Sequence, residues 1–167
     1  MQWNYTDKLP ADFAAASRVW IYQSSRPFSA EEETKVNAML KQFANSWLSH
    51  GAKVKGYGQL FFNQFIVLMA DEAATGVSGC STDSSVRLIK QVEEQFSVNM
   101  FDRQSLAFII DDAVQVIALP QLKQAVQNHT VSADTLYFNN LVQTKEALES
   151  GWLQPIKNSW LANRILS

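Results

Sequence analysis

The chain has 167 residues, a formal net charge of −2, and is 47% hydrophobic and 11% aromatic. That is enough apolar material for one compact body with a small appended piece, and it excludes a wholly disordered chain. A pI near 5.6 leaves no basic footprint for a general nucleic-acid or anionic-membrane surface, and a single cysteine excludes a disulfide framework or a multi-cysteine zinc site.

Residues 1–17 read as an irregular lead-in around Pro10. Arg18–Gln23 alternates and is rich in β-branched and aromatic residues, which predicts a strand. Ser29 followed by Glu32 is a capping box, and Glu31–Glu33 suits the positive end of a helix dipole. Val36, Met39, Leu40, Phe43 and Trp47 then recur at helical spacing, with His50-Gly51 as the expected stop. Ala52–Gln59 reads as a short strand or edge ribbon, and Asn63–Ala70 as a buried strand. A second helix is expected from a Thr82 or Asp83 cap to about Phe96. Gln104–Ile110 and Val114–Ala118 read as strands joined at Asp111-Asp112.

Beyond residue 118 the spacing predicts a short helix from Pro120 to about Asn128, then a strand at Thr135–Phe138. A helix capped by Thr144 and ended by Gly151 follows, and Pro155–Leu166 closes the chain as an amphipathic segment. The order through residue 110 is β-α-β-β-α-β, which predicts an α+β, ferredoxin-like sandwich with an antiparallel sheet over 1–118. Residues 119–167 form the expected accessory αβα unit.

The chemistry concentrates in Gly76–Leu88, GVSGCSTDSSVRL, which joins an apolar strand to a helix. Exposed backbone N–H groups and the dipole at a helix start attract anions, and small residues allow close approach. Ser78, Gly79, Ser81, Thr82, Asp83, Ser84 and Arg87 are therefore the candidate ligand residues, with Arg18, Arg26 and Arg103 as a further anion clamp. The same composition also makes an ordinary tight turn and cap. Cys80 at a helix start can be an activated nucleophile if His50 is near, or a buried small hydrophobe. No Walker A pattern occurs, no metal-ligand spacing is found, and no cofactor is implied.

The pieces SRVWIYQSSRPF, SHGAKVK, SGCSTDSSVRLI, FDRQSLAF and FNNLVQTKEALESGWLQPIKNSW resemble an uncharacterised family of small bacterial proteins often labelled "ABC transporter ATPase". The resemblance runs from Ser17 onward, and that family brings no established activity. The label itself is not supported: of the ATPase motifs only a loose Walker-B-like FIVLMAD is present. PQLKQAVQNHTVSADTLYFNNLV more loosely resembles GYF-like modules, which implies a small peptide-binding surface, although the glycine-tyrosine-phenylalanine cluster is missing.

These readings point to a non-catalytic binding or interaction protein for a small anionic ligand or a protein partner. Self-association to a homodimer through an open sheet face or edge is expected. The alternative is an enzyme acting on a phosphate- or carboxylate-bearing molecule with Cys80 as nucleophile. No nucleic-acid partner is expected, and no run approaches the roughly 20 apolar residues of a membrane span. The opening MQWNYTDKLPADF does not read as a secretory signal, so a cytoplasmic location is the expectation.

Overall fold

The computed structural model describes residues 3–49, 51–71 and 79–165, with the side chains of 49 and 79–81 left out. Its contacts divide the chain into two units. One comprises Met1–Phe101 and Val142–Glu149, the other Asp102–Leu141 and Ser150–Ser167.

The first unit is built on a three-stranded antiparallel sheet of order β1-β5-β4, with β1 at Arg18–Gln23, β4 at Lys55–Phe61 and β5 at Phe65–Asp71. Every residue of β5 is buried. A central strand covered on both faces reads as a continuous apolar run instead of an alternating one. On one face lie α1 (Ala30–Ser46) and α2 (Gly79–Phe96). Val36 and Leu40 of α1 and Leu88, Ile89, Val92 and Phe96 of α2 form a core with Leu60, Ile66 and Leu68 of the sheet. The capping box at Ser29 forms as the sequence predicts: Ser29 Oγ accepts from the Glu32 N–H at 3.2 Å, and the Ser29 N–H donates to Glu32 Oε1 at 2.9 Å.

The opposite face is covered by the lead-in, which is irregular apart from a 3-10 turn at Thr6–Lys8 yet firmly held. Tyr5, Leu9 and Phe13 are buried. Tyr57 Oη donates to the Lys8 carbonyl at 2.8 Å, and the Ala14 N–H donates to Asp71 Oδ2 at 3.1 Å. The buried Lys145 side chain donates to the Phe13 carbonyl at 2.9 Å, tying in the returning segment.

Two glycines set how closely α1 lies on β4. A Cβ on Gly56 would stand 2.8 Å from Trp47 Cε3, and one on Gly58 would stand 3.1 Å from Leu68 and 3.2 Å from Leu40. Glycine inside a strand marks such a close approach. Trp47 leaves helical geometry to lie over Gly56, so α1 stops at Ser46. Gly51, expected as the helix stop, instead takes φ +80 in the turn between β2 (Leu48–Ser49) and β3 (Ala52–Lys53). His50 lies outside the described residues.

The four-stranded ferredoxin-like sheet expected from the element order does not assemble. Its intended fourth strand, β6 (Ser105–Ile110), pairs with β7 (Ala113–Ala118) and β8 (Leu136–Phe138) in a second sheet of order β7-β6-β8-β9, where β9 is Leu153–Pro155. Beside β1 runs the returning segment: the Val19 N–H donates to the Gln143 carbonyl at 2.9 Å, and Arg18 bridges Thr144. The reason is that the tail carries a core of its own. Leu106 and Phe108 of β6 pack with Leu122, Val131, Tyr137, Ile156 and Leu161.

In that second unit α3 is Leu122–Gln127 and α5 is Ala162–Ile165, while α4 (Lys145–Gly151) spans the division. Asp111 and Asp112, at φ 53 and 60, make the two-residue hairpin turn that the sequence predicts. The molecule is thus α+β with antiparallel sheets, and among the described residues no helix is long and apolar enough to cross a membrane.

Two predictions follow from this packing. Gly56→Ala forces Trp47 off β4 and should destabilise the chain by about 1–3 kcal/mol in urea unfolding. Glu32 is held at a pKa of about 2, first by hydrogen bonds from the Arg26 guanidinium and then by the Ser29 N–H. A carboxyl depressed on folding contributes stability that is full above its unfolded pKa of about 4.3 and is lost as pH falls toward the folded value. Glu32→Gln, which retains the capping box, should therefore flatten the urea midpoint's fall between about pH 5 and pH 2.

Candidate functional site

The helices of the first unit run so that the start of α1 meets the end of α2. Arg26 closes that end. Its Nη1 and Nη2 donate to Glu32 Oε1 and Oε2 at 2.8 and 2.9 Å, and Nη2 also donates to the Phe96 carbonyl at 2.7 Å. A cation on the last carbonyls of a helix complements its dipole. Arg26 is therefore occupied at the far end of α2 from the Gly79 start, and does not form the clamp expected of it. Arg103 is exposed in the other unit, and Arg18 lies 5.0 Å from the Trp20 ring.

At the open end, the second half of α1, β2 and the first half of α2 enclose a cleft of about 710 Å³. Its apolar wall comprises Met39, Phe43, Trp47 and Leu48 with Leu88, and its polar positions are Gln42, Ser46, Ser84, Arg87 and Gln91. The Phe43 and Trp47 rings lie 4.8 Å apart and tilted by 40°, and the Trp20 ring stands 5.5 Å from that of Trp47. Trp47 is 1% exposed, whereas Leu48 is 51% exposed. Ser46 Oγ donates to the Gln42 carbonyl at 2.9 Å, leaving its lone pairs as acceptors. Arg87 Nη2 donates to Ser84 Oγ at 3.1 Å, and among the described residues Arg87 joins no ion pair. The cleft thus offers an aromatic and aliphatic wall, two amides and one cation.

Among the described residues, Ser84 and Arg87 are the candidate ligand residues that line this cleft. The helix starts at Gly79, a turn earlier than the expected Thr82 or Asp83 cap, so most of the supposed loop is helix. Ser85 shows what the hydroxyls do instead of capping: buried, it donates back to the Thr82 carbonyl at 2.7 Å, with Tyr22 Oη 3.3 Å away. Thr82 is half-buried and Asp83 exposed. Gly79, Cys80 and Ser81 have helical backbone, but their side chains lie outside the described residues, as do Ser78 and His50 altogether. Sequence reasoning took Met39, Phe43 and Trp47 as a core face only, and missed Gln42, Ser46, Leu48 and Gln91. The available signal was the pair Gln42 and Ser46, polar positions beside Met39 and Phe43 at the spacing of neighbours on one helix face. Among the described residues no group of three His, Cys, Asp or Glu is placed to hold a metal ion.

No protein-family model, curated protein or solved structure matches the chain.

Proposed function

We propose that the chain is a non-catalytic binding protein whose cleft between α1 and α2 takes a small amphipathic molecule bearing a carboxylate or phosphate. The observation that carries this reading is Arg87, a guanidinium outside any described ion pair, set at the edge of an aromatic and aliphatic wall. A volume near 710 Å³ falls within the range of small-molecule sites, which are mostly apolar with a few placed polar groups. Arginine recognises planar and tetrahedral anions through paired N–H donors, so it fixes the head group, while Leu48, Phe43 and Met39 receive an alkyl or ring portion. Gln42 and Gln91 supply further donors and acceptors along the wall.

Titration calorimetry with decanoate, decyl phosphate and decanol tests this. The two anions should bind and the alcohol should bind more weakly. Arg87→Gln should weaken the anions by roughly ten- to a hundredfold, the value of a charge-assisted hydrogen bond, and leave decanol unchanged. Equal affinity of wild type and Arg87→Gln for the anions, or no heat at millimolar ligand, would overturn the reading.

A further inference from the structure

Strand edges invite pairing with other chains, and several edges in this molecule are partly covered. The outer edge of β1 is met by Gln143 and, just past its end, by Asn99, whose carbonyl accepts from the Ser25 N–H at 2.9 Å. On β4 the Leu60 N–H is taken by Asn37 Oδ1 at 2.9 Å. The strand β9 is three residues long and ends in Pro155, which has no N–H to offer. β7 has less cover than these. It lies at the end of its sheet, and among the described residues nothing pairs with its outer side.

The register shows which groups are unpaired. The two-residue turn makes Ile110 and Ala113 a hydrogen-bonded pair, and alternation makes Phe108–Gln115 and Leu106–Ile117 the next ones. The Leu119 N–H, donating to the Gln104 carbonyl at 2.6 Å, continues that series. The N–H and C=O groups of Val114, Val116 and Ala118 therefore point away from the sheet. The strand reads AVQVIA, without charge, proline, glycine or bulge, and Val116 is 38% exposed. Among the described residues none of the usual protections of an edge is present.

We infer that β7 pairs antiparallel with β7 of a second copy, about a two-fold axis at Val116. The choice of a second copy rests on self-complementarity. Centred on Val116, the outward groups meet as Val116–Val116 and Val114–Ala118, each able to exchange both backbone hydrogen bonds. The same register sets Asp112 opposite Pro120, so the acidic turn Asp111-Asp112 of each copy runs toward the exposed Lys123 of the other. Charge therefore favours this antiparallel register. A six-residue edge buries less than the about 800 Å² per partner of a standard interface, which makes the dimer weak, with a Kd on the order of 10 μM.

Sedimentation velocity on the full chain should show the average mass rising from one chain toward two across that concentration range. Val116→Pro leaves every ladder bond within the sheet, because the Val116 N–H points outward, and should raise the Kd at least about tenfold. Val116→Lys, which keeps the backbone N–H, should also weaken the dimer and decides the matter if the proline variant misfolds. In a Cys80→Ser background, Val116→Cys should cross-link under mild oxidation and Ala113→Cys should not, since only position 116 meets its own copy. A chain that stays monomeric throughout overturns the proposal and leaves the edge to a strand of a different protein. A dimer indifferent to both Val116 substitutions, or cross-linking equally at 113 and 116, also overturns it.

Discussion

The first unit depends on β5 being apolar along its length. A strand that buries Phe65 through Ala70 with no polar face must be covered on both sides. Fully burying one such side chain is worth about 1.5–3 kcal/mol, more than any single surface ion pair contributes. The two helices cover one side, and the lead-in, otherwise without regular structure to recommend it, becomes the second layer. Its polar backbone is satisfied by side chains reaching up from the sheet: Tyr57 to the Lys8 carbonyl and Lys55 to the Asp12 carbonyl at 2.6 Å. Burial pushes the Tyr57 hydroxyl well above its ordinary pKa, so it remains a donor at any physiological pH.

That arrangement also places the cleft. The helices are tied at one end, where Arg26 spans Glu32 and the Phe96 carbonyl and where Phe28 meets the Phe96 ring edge-on at 5.7 Å. At the other end Trp47 must turn out of α1 to lie over Gly56, and its bulk with Phe43 fills the ground next to the sheet. The flanks of α1 and α2 beyond them line the cleft. The two glycines of β4 and the cleft are thus parts of one packing solution: fixing Trp47 against the strand commits the adjoining surface to an aromatic wall.

Local chemistry was legible in the sequence where one short segment decides the outcome. Ser29 with Glu32, the alternation of β1 and the Asp111-Asp112 turn are such cases, since their partners lie a few residues away. The decisions that failed turn on distant partners. Whether SLAFII joins β1 or founds a second sheet depends on Leu122, Val131 and Leu161, which no periodicity links to it. Gly51 looks like a helix stop until Trp47 leaves the helix earlier. The candidate site divides in the same way. Ser84 and Arg87 stood out because polar residues at a helix start are conspicuous, whereas the α1 wall is made of residues that read as core. Leu48 is apolar and exposed because the chain has just left the helix, and a pattern of hydrophobicity alone cannot tell that from a core residue.

The sizes of these effects decide how such a cleft would select what it holds. Trp47, at 1% exposure, has almost no surface left to lose and acts as a rigid backstop, while Leu48, at 51% exposure, has the most apolar area still to bury. At about 25 cal/mol per Å², affinity would come chiefly from what covers Leu48 and its neighbours. Arg87 adds orientation more than attraction at a distance: the chain's net charge is −2, and beyond about 8 Å at physiological ionic strength the field of one guanidinium is screened. On the proposed function, an anion would thus be recognised only on contact, after its apolar part has been seated. Such an order of events would suit one arginine instead of a basic cluster, since a cluster would draw in any polyanion and a single fork rewards the molecule whose two ends both fit.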